Sequence, residues 1–186
     1  EEVLFSTNND NACIIITTFS SHIARLKSIV DFGKKLDRKI IFLGRSLNRY
    51  VNAASNIKMC PFQNDMSLFT YRNQVNSILK KINKNRKDYM IVCTGHQGEP
   101  GSILERLSRG ETNFQFSAKD HVIFSSKTIP SEINVANKAN IEKRLKNRGV
   151  RIFDSVDVSG PACREDLRDF ITMVQPEHII PSHGDI

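Results

Sequence analysis

The stretch Thr94-Gly95-His96-Gln97-Gly98-Glu99-Pro100-Gly101-Ser102 decides how this chain is to be read. It follows an apolar run, Tyr89-Met90-Ile91-Val92-Cys93, and precedes a helical pattern carried by Ile103, Leu104 and Leu107. The order is that of a buried strand, a glycine-rich turn and a helix start. Glycines supply positive φ and let the backbone approach a neighbour closely. Pro100 suits the first turn of a helix, where a missing N–H costs nothing. Orphan amides at such a start favour a phosphate or another anion, and His96, Gln97 and Glu99 add polar atoms to the same rim. An ordinary strand-to-helix connection would carry the same letters, so the stretch by itself leaves both readings open.

Working outward, Cys13-Ile14-Ile15-Ile16 is a continuous apolar run, expected of a strand buried on both faces. Ser20 or Ser21 is placed to cap the next helix. Ile23, Leu26 and Val30 make its buried stripe, with Arg25, Lys27, Lys34 and Lys35 on the wet side. Lys39-Ile40-Ile41-Phe42-Leu43 reads as a second strand, and Gly44-Arg45-Ser46 turns into a helix through Leu47 and Val51. Residues 52–62 read as irregular, with Pro61 as a breaker. Leu68, Tyr71, Val75, Leu79 and Ile82 recur at helical spacing and predict one long helix. The basic run at 80–87 fits the solvated end of that helix, where the dipole favours cations.

Beyond the glycine-rich stretch, His121-Val122-Ile123-Phe124 predicts a strand ending in Ser125-Ser126. A helix over 132–147 is stopped by Gly149. Val150-Arg151-Ile152-Phe153 and Val156-Asp157-Val158 read as short strands, the second leading into Ser159-Gly160-Pro161-Ala162. Leu167, Phe170, Ile171 and Val174 mark a last helix, and His178-Ile179-Ile180 a closing strand before Pro181-Ser182-His183-Gly184-Asp185. Alternating strands and helices predict an α/β fold, a mainly parallel twisted sheet with helices on both faces. Ligands in such folds bind where strand ends feed helices. That rim would gather the segments 18–22, 44–46, 94–97, 125–126, 159–160 and 183–185, rich in hydroxyls, glycine amides and histidines.

At 186 residues the chain is long enough for one good core. Its formal charge of +7 leans toward a polyanion such as nucleic acid, although a merely soluble lysine-rich surface has the same balance. Cys13, Cys60, Cys93 and Cys163 are widely separated, with no CxxC spacing for a zinc knuckle. Isolated cysteines of this kind fit a reducing, cytoplasmic setting. No run approaches membrane-spanning length, no signal peptide opens the chain, and no membrane partner is expected. A first residue of Glu1 rather than Met reads as an excised or processed piece. Neither GxGxxG nor GxxxxGK[ST] occurs, so a dinucleotide or P-loop nucleotide site is not indicated.

Taken in this order, TTFSSHIARL, DRKIIFLGRSLNRY, TGHQGEPGS, VIFSSKTIP, VDVSGPACREDLRDFI and PEHIIPSHGD resemble the β-CASP region of RNase J, especially its archaeal branch. The resemblance covers nearly the whole chain. It implies a β-CASP domain over 1–154 and, over 155–186, a segment returning toward a metallo-β-lactamase domain whose remainder is absent here. It further implies a ribonuclease that hydrolyses RNA phosphodiesters, typically 5′-to-3′ and in some members also endonucleolytically. Two zinc ions serve that reaction, and RNA lies between the two domains. The other implied partners are the metallo-β-lactamase domain and, for the intact enzyme, a second copy.

By position, His183 matches the family's zinc-ligating histidine. Ser159, Gly160 and Ala162 match its 5′-phosphate pocket. Gly95, His96, Gln97 and Arg45 match the rim facing RNA, and Ser125 and Ser126 are assigned to the same RNA- and phosphate-binding set. The chain also departs from the pattern. Where the family reads HVSGHA, this chain reads Asp157-Val158-Ser159-Gly160-Pro161-Ala162. Pro161 therefore replaces the histidine placed beside the scissile phosphate, and proline can neither titrate nor donate an amide hydrogen. Asp157 would set a negative charge near a phosphate. The lactamase HxHxDH segment is absent, and one histidine does not build a zinc hydrolase site. No catalytic residue is assigned, and the isolated chain is expected to be inactive. The alternative is a β-CASP module that binds RNA without cutting it.

Overall fold

In the computed structural model, which describes residues 11–154 and 164–180, the apolar runs of the chain become one parallel sheet. Its strands are β1 (Ile14–Thr17), β2 (Lys39–Leu43), β3 (Met66–Phe69), β4 (Tyr89–Cys93), β5 (His121–Phe124) and β6 (Arg151–Phe153). They lie in the order β3-β2-β4-β1-β5-β6. The central strands align without slippage: Ile15 sits between Ile91 on one side and Val122 on the other. Ile41 also lies opposite Ile91. Such strands are apolar along nearly their whole length because helices cover both faces of the sheet.

The connecting helices are α1 (Ile23–Lys35), α2 (Arg45–Asn56), α3 (Arg72–Lys84), α4 (Ile103–Arg109) and α5 (Glu132–Lys146). From β1 the chain moves two steps in one direction along the sheet, through α1 to β2 and α2 to β3. It then moves back the other way through α3, α4 and α5. Parallel crossovers are right-handed, so reversing direction reverses the face on which the helix lands. The two cores record this. Leu26, Val30, Leu47 and Val51 of α1 and α2 pack with Ile14, Ile16, Phe42 and Val92. Leu79, Ile82, Leu104, Leu107, Ile141 and Leu145 of α3, α4 and α5 pack with Ile15, Ile41, Ile91 and Val122. Successive strand residues thus serve opposite cores, as the two-residue strand period requires.

A sixth helix, α6 (Arg164–Val174), belongs to a second compact unit of the described residues, separate from 11–154. On it Phe170, Met173 and Val174 are exposed.

Several sequence expectations are corrected. Leu68 lies in β3, not on the helix of Val75, Leu79 and Ile82, which starts only at Arg72. Leu68 happens to fall at helical spacing, but β2 offers a parallel neighbour, and pairing wins. Residues 52–56, expected to be irregular, continue α2, because Ala54 still reaches the core. The cap of α1 is His22 rather than Ser20 or Ser21; its Nδ1 accepts the Arg25 N–H at 3.1 Å. Residues 178–180 form no strand, since a strand exists only through a ladder and none of the six strands pairs with them. The expected strand at 156–158 lies outside the described residues.

At the amino-terminal edge of the sheet, Asp120 is fully buried. Its carboxylate accepts the Cys13 N–H at 3.0 Å, the Ser117 N–H at 2.7 Å and the Arg86 guanidinium at 2.6 Å. Arg86 is therefore a bolt between strand ends, not part of a solvated basic run. Deleting one partner of a buried pair strands the other, so Asp120→Ala should lower stability by about 3–5 kcal/mol in urea unfolding, with the slope unchanged.

His121, at the start of β5, is buried edge-on against Phe153, ring centroids 5.4 Å apart. Burial, helped by Arg151 and Arg38, presses its pKa down to about 4. The unfolded imidazole, near 6.5, binds protons that the folded one refuses. Stability should therefore hold above about pH 6.5 and fall from there toward pH 4. His121→Gln should flatten that slope in unfolding experiments across the same window.

Candidate functional site

The carboxyl ends of β1, β2, β3 and β4 open onto one cleft of about 420 Å³. Thr18, Phe19 and Ser20 enter it from β1, Gly44, Arg45 and Ser46 from β2, and Thr70 from β3. Thr94, His96, Glu99 and the 100–103 turn enter from β4, with Arg106 of α4 beyond them. The cleft lies where it should in a doubly wound sheet. α1 and α2 leave toward one face and α4 toward the other, so the loops part between them.

The glycine-rich stretch is held in place from several sides. Gly95 has φ 125°, and a Cβ there would lie 2.7 Å from both Leu104 Cβ and Ser102 Oγ. The start of α4 therefore presses on the end of β4, and the Leu104 N–H donates to the Thr94 carbonyl at 3.1 Å. A Cβ on Gly98 would meet the backbone nitrogen of Lys138 at 2.4 Å, so the loop also rests on α5. Pro100 is not in the helix. Ser102 is the cap, its Oγ accepting the Glu105 N–H at 3.4 Å, and the helix begins at Ile103. Glu105 in turn accepts the Gly101 N–H at 3.3 Å and pairs with Arg109 and Arg144. The amides expected to await an anion at this turn are thus largely taken by the chain itself.

The residues singled out from the sequence divide into two groups. Arg45 and His96 line the cleft. Arg45 is exposed, and no described residue engages its guanidinium. Gln97, Ser125 and Ser126 are buried structural links. Gln97 Nε2 donates to the Lys127 carbonyl at 3.0 Å and its Oε1 accepts the Ile129 N–H at 2.7 Å, tying the loop after β5 to the loop after β4. Ser125 Oγ donates to the Thr17 carbonyl at 3.2 Å. The Arg25 guanidinium donates to Ser126 Oγ at 2.6 Å and to the Ser125 carbonyl at 2.7 Å. Ser159, Gly160, Pro161, Ala162 and His183 lie outside the described residues. Sequence reasoning missed Thr70, hidden because β3 reads as helix, and Arg106, one turn beyond the cap serine.

His96 is only 2% exposed, yet neither ring nitrogen has a hydrogen-bond partner. Its ring meets Phe19 edge to face, centroids 3.9 Å apart, and its Nδ1 lies 3.9 Å from Glu99 Oε1. Burial holds its pKa below the ordinary imidazole value; Glu99 works against that, while Arg25 and Lys138 add to it. Among the described residues no group of three or more His, Cys, Asp or Glu side chains is gathered to hold a metal ion. No helix of the described residues is long and apolar enough to cross a membrane.

Comparisons with known proteins agree with this architecture. Residues 11–143 match the family model described as "Ribonuclease J, beta-CASP domain". Residues 149–186 match the "Zn-dependent metallo-hydrolase RNA specificity domain". Ribonuclease J of Methanocaldococcus jannaschii is 45% identical over 183 residues, covering 98% of this chain and 41% of that protein. Ribonuclease J of Pyrococcus abyssi is 40% identical over 172 residues, covering 92% of this chain and 38% of that one. A bacterial Ribonuclease J, from Sinorhizobium meliloti, is 32% identical over 175 residues, covering 91% of this chain and 29% of its own length. The chain thus spans about two fifths of the archaeal relatives.

The two kinds of site residue should respond differently to substitution. Gly95→Ala imposes both a strained φ and a clash with Leu104 Cβ and Ser102 Oγ and should cost about 3 kcal/mol or more. Arg45→Ala, on an exposed and unengaged side chain, should stay within about 0.5 kcal/mol of the parent. Chemical denaturation of the two variants checks both.

Proposed function

This chain belongs to the Ribonuclease J family, and from that premise we propose that it is the β-CASP portion of a metal-dependent ribonuclease, holding RNA for cleavage rather than cutting it alone. The observation that carries this reading is the cleft, which Arg45 and Arg106 line together with Ser20, Ser46 and Thr70 at the strand ends of a β-CASP fold. Guanidinium groups suit phosphate recognition, and the formal charge of +7 favours a polyanion at long range.

The division of labour follows from the donors available. Zinc chemistry would supply activated water for phosphodiester hydrolysis, and the described residues gather no set of ligands for it. We assign that site mainly to the rest of the longer protein, with His183 as this chain's one contribution, an imidazole being a suitable zinc ligand. Ser159, Gly160 and Ala162 are proposed for the 5′-phosphate pocket. In the same reading, 1–154 is the β-CASP domain and 155–186 the segment returning to the metallo-β-lactamase domain. That domain, RNA and a second copy of the intact enzyme are the proposed partners. A cytoplasmic location is supported by the free, buried Cys13, Cys60 and Cys93.

Pro161 favours a second reading. A proline where the family has a histidine removes an acid, base or phosphate donor from beside the scissile bond, as in a module that binds RNA without cleaving it. Restoring the flanking metallo-β-lactamase domain separates the two, since only the first predicts cleavage then.

The 186-residue chain, titrated with fluorescent single-stranded RNA, should bind with an affinity that falls linearly on a log–log salt plot. Arg45→Ala should weaken binding and make the slope shallower by about 0.7, the loss of one phosphate contact. No mononucleotides should appear from 5′-phosphorylated RNA with added zinc. Affinity indifferent to salt, or cleavage by the chain alone, would overturn the proposal.

A further inference from the structure

We propose that the amino-terminal edge of the sheet, opposite the cleft, is a second and separate contact surface for RNA, one that grips the phosphate backbone without reading bases. It rests on the RNA reading for the identity of the polyanion, and on none of the cleft residues. All six strands are parallel, so every strand begins on this edge. Lys39 and Arg151 open β2 and β6, and Lys87 and Lys119 stand two residues ahead of β4 and β5. In the strand order β2-β4-β1-β5-β6 those four positions span four inter-strand spacings, about 19 Å. All four side chains are exposed. Among the described residues none of the four is in an ion pair with a carboxylate; Lys39 lies over the Tyr89 ring, 5.7 Å from its centroid.

The positive charge of the chain is concentrated here rather than in the cleft. The connections 36–39, 84–88, 117–120 and 147–151 carry eight Lys or Arg against three Asp, an excess of five out of the formal +7. Of those carboxylates, Asp120 is buried and paired with Arg86, Asp88 acts on Arg38, and Asp37 is exposed. The cleft, by comparison, is lined by Arg45 and Arg106 against Glu99. Helix dipoles do not account for the row. They favour cations in the last helical turn, and the effect fades beyond it. Lys39 is four residues past the end of α1, Lys87 three past α3 and Arg151 five past α5. No large apolar side chain of these connections is exposed, so the surface lacks the apolar centre of a protein interface and the wedge of a membrane anchor. Nor does an exposed aromatic ring stand there to stack on a base. What remains is phosphate recognition by point charges, which is independent of sequence and sensitive to salt.

The test uses the 186-residue chain with an oligouridylate and an oligocytidylate of about thirty nucleotides, long enough to engage both surfaces. Lys39→Gln, Lys87→Gln and Lys119→Gln are combined in one variant. A charge-matched control combines Lys27→Gln, Lys80→Gln and Lys143→Gln, exposed on the flanks of α1, α3 and α5. Both should melt with the parent, as exposed substitutions do. The edge variant should bind at least about tenfold more weakly and flatten the log–log salt slope by about 2, the loss of three phosphate contacts. The control should stay within about threefold of the parent, and the two homopolymers should bind alike. Equal losses in both variants would report net charge alone and overturn the proposal, as would a strong preference for one homopolymer. An edge variant that loses phosphatidylserine vesicles while keeping RNA overturns it in favour of a membrane. RNA binding weakened by Arg45→Ala and untouched by the edge variant overturns the edge and leaves the cleft reading standing. The converse keeps the edge and removes RNA from the cleft, and a parent chain that binds no RNA sinks both.

Discussion

A strand–helix–strand connection between parallel strands turns right-handed, so the direction of travel along the sheet fixes the face on which each helix lies. Here the chain starts at a central strand, runs outward twice, and then returns across its own starting point. Two helices accordingly bury one face and three the other. Loops that leave neighbouring strand ends in opposite directions cannot close over them, and the cleft is the space that remains. Its place in the molecule follows from strand order before any lining side chain is considered.

The two edges of the sheet treat buried polarity differently. At the amino-terminal edge Asp120 is satisfied three times over, by two amides and a guanidinium, and serves as a fastening. At the carboxyl edge His96 is equally buried and has no hydrogen bond at all. The first arrangement spends polarity on holding strand ends together. The second leaves a buried imidazole unpaired at a cleft that an exposed arginine also lines. Between them lie groups such as Gln97, Ser126 and Arg25, which fix the loops so that the cleft keeps its shape.

Most of the fold was legible because the central strands announce themselves. β2, β4 and β5 match the expected runs residue for residue, since strands covered on both faces are nearly continuous apolar blocks. The failures fall where that signal weakens. β3 is an edge strand with no fully buried residue, and Leu68 happens to share the helical spacing of the helix that follows. The cap of α1 fell to His22, because imidazole nitrogen accepts an amide as serine oxygen does. In the site, residue types were informative and destinations were not. Ser125 and Ser126 look like phosphate ligands by letter, yet their hydroxyls are bonded to Thr17 and Arg25.

What the sequence determined by itself was the alternation of elements, the parallel sheet, the family motifs and the list of loops able to meet at one edge. All of these depend on local periodicity and on turn chemistry, which a chain carries in the order of its residues. What only the tertiary structure decided was which groups remained open once the loops had packed. The turn at 94–102 lost much of its anion-binding capacity to Ser102, Glu105 and the Thr94 carbonyl, whereas the first amides of α2 find no acceptor within their own helix. That outcome depends on contacts between segments far apart in sequence, such as Gly98 against α5 and Gln97 against the loop at 127–129, and no local pattern encodes them.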